Sequence, residues 1–500
     1  MNWTYSAKRT WFRPVILITL CAFSATAYAG QEPALPPGLA PAPPAASGDT
    51  PALPPGLGGP DSAPGLPPGL APGLGADAPA LPPGLGEAPA SETATEGEGG
   101  KLRLTDRLPP WLHGYWETRV GTRTRNDPEQ PGDLSIGETR LQLETKKLWG
   151  ETALDVTADV YADAVDEEGH FDLRQFRFTF SPIHEVDVRI GRQVITWGTG
   201  DLLFINDLFP KDWQSYFLGR DQEYLKAPSD AIKVGWYPGP INLEVVYTPR
   251  FDRDRFIRGS RVTYYNPLFG PSGRDSQVQS SPPNDWFEDD EIALRIYRRV
   301  GRFEMALYAY QGYWKSPGGQ TFVPFEATHP RLNVYGTSAR GAVGKGLLNV
   351  ELGYYDSRDD RDGTDFGINN SEFRFLIGYE RELAKEFTGG VQYYLEHMMD
   401  HDAYANSPLF FFLPDRDEDR HVFTVRLTKL LMAQNLNLSF FMYYSPSDND
   451  AFLRPKATYK VNDRWTVEAG GNVFLGKDDH TFFGQFEETT NVYASARFSF

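Results

Sequence analysis

From Lys101 onward, apolar and polar side chains exchange places at every second position in one stretch after another, and many of the polar partners are charged. Thr152, Leu154, Val156, Ala158 and Val160 share one face while Glu151, Asp155, Thr157 and Asp159 share the other. Phe176, Phe178 and Phe180 oppose Gln175, Arg177 and Thr179; Val186, Val188 and Ile190 oppose Glu185, Asp187 and Arg189; Trp465, Val467, Ala469, Val473 and Leu475 oppose Thr466, Glu468 and Asn472. A period of two belongs to a β-strand, because successive Cβ atoms leave the chain on opposite sides. A single strand of this kind is half buried in any β-protein. Repeated this often, the pattern demands that the polar face be wet, because the core of a sandwich has no way to absorb so many charges on one side of its strands.

Spacing supplies a topology. Eighteen strands are expected, starting near 112, 135, 151, 171, 184, 228, 240, 290, 302, 330, 346, 371, 386, 419, 435, 451, 463 and 489; sixteen is the alternative count. Short turns fall at Lys147–Gly150, Ser181–Ile183, Pro238–Pro240, Val300–Arg302, Gly344–Gly346, Glu382–Lys385, Met432–Gln434 and Val461–Asp463. They alternate with longer polar loops such as 250–290, 313–330, 357–371 and 398–419. Short turns at one end, long loops at the other and an even strand count predict an all-β, transmembrane antiparallel barrel over 101–500. Its surroundings would be outer-membrane lipid, with both barrel termini in the periplasm.

The last strand reinforces this. Val492, Ala494, Ala496, Phe498 and Phe500 occupy alternate positions in TTNVYASARFSF, with Tyr493, Ser495, Arg497 and Ser499 between them. An apolar face that ends on Phe resembles the closing strand of bacterial outer-membrane barrels. That resemblance implies that Phe498 and Phe500 carry the signal read by the barrel-assembly machinery.

Residues 1–29 read as a secretory signal peptide: Lys8, Arg9 and Arg13 precede the apolar run Val15–Ala27, and Ala27-Tyr28-Ala29 is a small-x-small cleavage site. The run is too short to span a bilayer. Cys21 is the sole cysteine, so the mature chain has neither disulfide nor thiolate metal site. Loss of the leader's three positive charges takes the formal charge from −18 to −21, which argues against nucleic acid or an anionic membrane surface as the principal partner. Residues 30–100 hold LPPGL four times, at Leu35–Leu39, Leu53–Leu57, Leu66–Leu70 and Leu81–Leu85, at spacings too uneven for a solenoid. Proline removes donors, glycine adds chain entropy, and eight carboxylates face no Lys or Arg, so a disordered periplasmic tether is expected. It is either a passive spacer or the docking element for a periplasmic partner.

Arg189–Lys226 leaves the fifth strand and is too long for an ordinary hairpin connection. Its Gly191, Arg192, Gln193, Trp197 and Gly198, followed by an Asn-Asp-Leu-x-Pro segment, form a G-R-Q-x-x-x-W-G pattern. This resembles a family of outer-membrane, porin-like barrels of unassigned function and, more distantly, the alginate-export barrels. The resemblance covers about 190–250 and implies a porin-like channel or an exporter of a periplasmic product. On physical grounds the segment either folds into the lumen, packing Trp197, Phe204, Phe209, Trp213 and Tyr216 against the wall, or caps the barrel from outside. Strict alternation puts Arg192 on the lipid side unless a bulge at Gly191 turns it inward.

Lumen and constriction candidates are therefore Arg140, Glu144, Arg177, Arg189, Gln193, Trp197, Trp213, Arg295, Arg374 and Arg426, with Glu138, Gln142 and Lys146 on the same face. Arg250, Arg253, Arg255, Arg258 and Arg261 are loop candidates for anion binding; the alternative is pairing with nearby Asp residues or with lipopolysaccharide phosphates. Asp359, Asp360, Asp362 and Asp365, and Asp415, Asp417 and Asp419, lack the complete calcium-loop pattern and read as solvated loops, so no metal and no cofactor is expected. His397 and His401 fall where i,i+4 residues need not share a face. The chain carries no nucleophile elbow, zincin helix, Walker sequence or dinucleotide fingerprint, so no enzyme is expected. A channel for small polar or anionic solutes leads. An export conduit for a polysaccharide or other periplasmic product, working with partner proteins, and a structural or adhesive barrel are the alternatives.

Overall fold

The computed structural model describes residues 109, 111–266, 269–406 and 416–500. The expected signal peptide, the expected LPPGL tether and Asp415 lie outside them. Eighteen strands form one antiparallel sheet: β1 (Leu112–Arg123), β2 (Leu134–Trp149), β3 (Thr152–Asp163), β4 (Glu168–Ile183), β5 (Val186–Gln193), β6 (Ser229–Trp236), β7 (Asn242–Thr248), β8 (Glu291–Val300) and β9 (Phe303–Tyr313), then β10 (Arg331–Val343), β11 (Gly346–Ser357), β12 (Glu372–Ala384), β13 (Phe387–Met398), β14 (Asp419–Leu431), β15 (Leu436–Ser445), β16 (Asp450–Lys460), β17 (Trp465–Leu475) and β18 (Asn491–Ser499). Each strand pairs with its neighbour in sequence, and β1 pairs with β18, matching Trp116 to Phe498 and Arg119 to Ser495. Phe500 completes the seam, exchanging backbone hydrogen bonds of 3.0 and 3.1 Å with Gly114. Closure leaves no sheet edge, which is the condition for strands to cross a bilayer.

The two faces sort as the alternation requires. Trp116, Val120, Val160, Phe176, Ile190, Leu307 and Val391 are exposed on the outside, while Glu117, Arg119, Arg140, Asp159, Glu244 and Glu351 are buried on the inside. An apolar exterior around a charged interior is the reverse of a water-soluble fold, so this is a transmembrane barrel. Short turns gather at one end, at 150–151, 301–302 and 344–345 among others; the connections 194–228, 249–290 and 399–418 are at the other. The long-loop end is not uniformly long, since 164–167 and 446–449 are themselves tight turns.

One register shift re-aims a charged side chain. Thr157 of β3 pairs with Gln175 of β4, but Ala158 pairs with Leu173, so Arg174 is an extra residue in the ladder. The bulge turns Arg174 into the lumen, where alternation alone would not place it. Gly191 takes a φ of 115° but does not turn Arg192 inward. Arg192 stays on the outer face beyond Ile190, opposite Asp230 of β6 and bonded to it at 2.8 and 2.9 Å.

Candidate functional site

After Gln193 the chain turns into the barrel and crosses it before returning as β6. Trp197 donates its indole N–H to Glu244 of β7 at 2.8 Å. Asp201 reaches the far wall, where both its carboxylate oxygens accept from the Arg426 guanidinium of β14, one of them at 2.7 Å. Gln392 of β13 donates to the Asp201 carbonyl at 2.8 Å. The chain then forms a single helical turn, α1 (Trp213–Leu218), capped by Asp212, whose carboxylate accepts from the Ser215 N–H at 2.8 Å. Gly219 closes α1 at φ 80°, and a Cβ there would stand 2.2 Å from the Tyr493 ring. A left-handed cap pressed against an aromatic leaves room for glycine alone.

Beyond α1 the segment meets the wall near the seam. Arg119 of β1 donates to the Gly219 carbonyl at 2.5 Å, Arg220 holds Glu138 of β2 at 2.9 Å, Tyr224 and Tyr115 hydroxyls lie 2.6 Å apart, and the bulged Arg174 donates to the Glu223 carbonyl at 2.9 Å. Phe217 packs against Phe452 of β16, Phe474 of β17 and Phe486, with centroids 4.9–5.5 Å away. The molecule's apolar core is thus built inside the barrel, from inserted residues such as Ile205, Phe209 and Leu218 and from inward wall residues such as Tyr308, Leu376 and Phe441. Burying so many aromatic rings is the physical reason the segment turns inward rather than lying open to water.

A second connection, 249–290, covers this segment from the long-loop end. Asp254 accepts from the Lys211 backbone N–H at 2.7 Å and from the Trp213 indole at 3.0 Å, and burial pushes its carboxyl up from the ordinary range against those contacts. Of the two geometries open to the sequence for this segment, the inward one is present, and 249–290 lies over it.

On the short-turn side the segment roofs a cavity of about 1230 Å³. His113, Leu347, Tyr379, Asn437 and Phe500 line its short-turn rim, and Thr196, Asp201, Phe204 and Lys226 its roof. Six cations (Arg174, Lys226, Arg340, Arg426, Lys456, Arg497) face seven carboxylates (Glu144, Asp201, Asp207, Asp221, Glu223, Glu380, Glu468), so the lining is close to neutral. Most are paired, as Lys226 with Asp207 at 3.4 Å and Lys456 with Glu468 at 3.1 Å.

The expected lumen residues divide by what they touch. Glu144, Trp197 and Arg426 line the cavity. Arg140 is buried between Glu138 and Asp159 at 2.9 and 2.7 Å, with the Tyr161 ring 4.0 Å away. Arg177 pairs with Asp155 at 2.9 Å, Arg295 with Glu304 at 2.7 Å and Arg374 with Glu372 at 2.5 Å. Arg189 stands opposite Thr179 and Lys233. Gln193 is spent on the Ala231 carbonyl at 3.0 Å, and Trp213 lies among Phe204, Tyr216 and Phe217. In the arginine-rich loop, Arg255 binds Asp172 through two contacts of 2.7 and 2.8 Å and Arg261 binds Asp163 and Asp166. Arg250 lies over the Trp286 ring at 4.9 Å, and Arg253 and Arg258 are exposed. His397 contacts Asp419 at 2.8 Å while His401 contacts the Arg416 carbonyl, so the two histidines serve separate contacts.

The residues that sequence reasoning passed over are Arg174, Asp201, Arg220, Tyr224, Glu351 and Tyr443. Asp201, Arg220 and Tyr224 carried a sequence signal only as members of the Arg189–Lys226 segment, and the other three carried none. No family model matches this chain, and no curated protein matches it. Among solved structures it is similar to a mutant Rh. blastica porin (11% identity, 78% of this chain and 99% of that one, TM-score 0.34). It is also similar to Acinetobacter baumannii OccAB3 (10%, 78% and 98%, 0.47) and to Pseudomonas aeruginosa OccK11 (8%, 78% and 96%, 0.43). These likenesses are faint, and the barrel rests on its own closed strand order.

Proposed function

We propose that this chain is a porin-like channel of the outer membrane for small polar or anionic solutes, with both barrel termini in the periplasm. In this reading residues 30–100 are a tether on that side, and residues 194–228 set what passes. The observation that carries it is the water-accommodating cavity of about 1230 Å³ with charges of both signs, roofed by a segment that crosses the whole lumen. Charges of both signs around a narrow path set a transverse field, which orients dipolar solutes and favours polar over apolar ones. Arg174 and Arg340 have no carboxylate within ion-pair distance among the described residues, and Glu144 and Glu380 have no cation, so selection by charge is weak. The chemistry required is passage rather than bond-making.

The test is single-channel conductance in planar bilayers, comparing the full chain with a variant in which Thr199–Leu225 is replaced by a short Gly/Ser bridge. Conductance should rise severalfold on excision, and larger sugars should enter in liposome-swelling assays. A folded excision variant that conducts like the full chain refutes the role given to the segment. One observation favours a second reading: the cavity lies at the short-turn end, where a periplasmic product would enter first. As an export conduit, the chain would lose product efflux when the tether is removed.

A further inference from the structure

The tip of the inserted segment, Leu202–Asp207, does not merely touch the wall; it sits in a socket cut for it. Gly336 of β10 and Gly353 of β11 face one another across the strand pair. A Cβ on Gly336 would fall 1.8 Å from the Asn206 side-chain oxygen, and one on Gly353 2.6 Å from an Ile205 methyl. The two missing side chains therefore open the notch that Ile205 and Asn206 fill. Two residues along, Glu351 is 1% exposed. It accepts from the Thr199 hydroxyl at 2.9 Å, the Gly200 N–H at 2.7 Å, the Asn206 N–H at 3.1 Å and the Asn206 side-chain amide at 2.8 Å, and also from the Thr199 N–H. Tyr355 closes the socket with a hydrogen bond of 2.5 Å to the Ile205 carbonyl.

An ionised carboxylate in the wall of a solute path ordinarily faces the solute or a cation. Glu351 has no cation within ion-pair distance among the described residues, and the hydrogen bonds its carboxylate accepts all come from the inserted segment. A buried carboxylate with five donors and no counter-ion is satisfied only while those donors stay in place. We infer that Glu351, with the notch at Gly336 and Gly353, is the positioning site that holds the inserted segment across the lumen and so fixes the width of the path. This rests on the channel reading, and it assigns to one wall residue the control that reading gives to the segment.

The experiment uses the full chain purified as folded barrel, checked by heat-shifted migration. It compares Glu351→Ala, Glu351→Gln and Gly336→Ala with the Thr199–Leu225 excision by single-channel conductance, together with the mobility of a nitroxide attached at Leu203→Cys. Glu351→Ala should carry conductance at least halfway to that of the excision and free the label. Gly336→Ala, which leaves Glu351 in place but fills the notch, should act in the same direction. Glu351→Gln keeps one acceptor but turns an NH2 group toward donors, so it should fall between wild type and Ala. A merely structural role would lower the temperature of the migration shift while leaving the conductance and label mobility of folded molecules unchanged. The inference is overturned if the excision opens the channel while folded Glu351→Ala and Gly336→Ala keep wild-type conductance and an immobile label. An excision that leaves conductance unchanged is a different result: it removes the channel reading's premise about the segment, and the inference falls with it.

Discussion

Arg426→Ala is the mildest way to loosen the inserted segment, and its size can be worked out from the contacts. The Arg426 side chain is 10% exposed and that of Asp201 31%, and the guanidinium meets both carboxylate oxygens. Such a pair stands between an exposed bridge, at about 0–1 kcal/mol, and a buried one, whose breakage costs about 3–5 kcal/mol. Removing Arg426 leaves Asp201 at the roof of the cavity, where water can reach it, so the cost is close to the net worth of the pair, about 1–2 kcal/mol. That changes an equilibrium by a factor of roughly 5–30. Glu351 and Gln392 still hold the neighbouring backbone, so the tip should open briefly rather than stay out. In bilayer recordings the variant should visit a higher-conductance level about five- to thirtyfold more often, with the main level unchanged. Exchanging the two charges, Asp201→Arg with Arg426→Asp, should restore most of the wild-type record. Wild-type occupancy of the upper level in folded Arg426→Ala would refute the reasoning, because the pair would then hold nothing that conductance reads.

Trp213→Ala should raise conductance less than excision does, since it removes one ring from a cluster that keeps Tyr216 and Phe217; a fall in conductance would contradict the packing. Deleting Phe500 should stall precursor before membrane integration, because its backbone closes the seam on Gly114; normal amounts of heat-modifiable barrel would count against this. Removing residues 31–98 should leave bilayer conductance unchanged, and unchanged efflux in cells would leave the tether a spacer. His329, in the loop before β10, donates from Nδ1 to the Trp314 carbonyl at 2.8 Å, and burial lowers its pKa to about 4. The opened loop takes up a proton near pH 6.5 and the closed loop does not until about pH 4, so loop stability should fall across that window by roughly 3 kcal/mol and level off below it. Hydrogen exchange over 314–330 measures this, and an unaltered pH dependence in His329→Asn would assign the effect elsewhere.

The wall was legible in the sequence because its determinants are local. A period of two and a turn are decided by residues a few positions apart, and expected starts such as 346 and 419 coincide with Gly346 and Asp419. The inward turn of 194–228 was legible as one of two choices, since its aromatics had to be covered by something. Its partners were not. Glu351 reads as one more inward acid on an alternating strand, and its role comes from donors some 150 positions earlier. Gly336 and Gly353 read as ordinary weak points in strands until Ile205 and Asn206 are seen between them. Arg174 escaped because a single extra residue on β4 reverses the parity on which face assignments depend.

The core inside the barrel also dictates an order of events. Phe217 finds Asn491 across 274 positions and Tyr216 finds Tyr443 across 227, so the segment's partners on β15–β18 are the last strands to be delivered. Contacts so distant along the chain form late. Until the seam on β1 and β18 closes, the rings of α1 have no walls to meet and stand as unsatisfied greasy surface on a half-built sheet. The sheet must therefore curl around its own filling, as a cooper draws staves about a form, and the rate at which the last four strands arrive sets how long that surface invites aggregation.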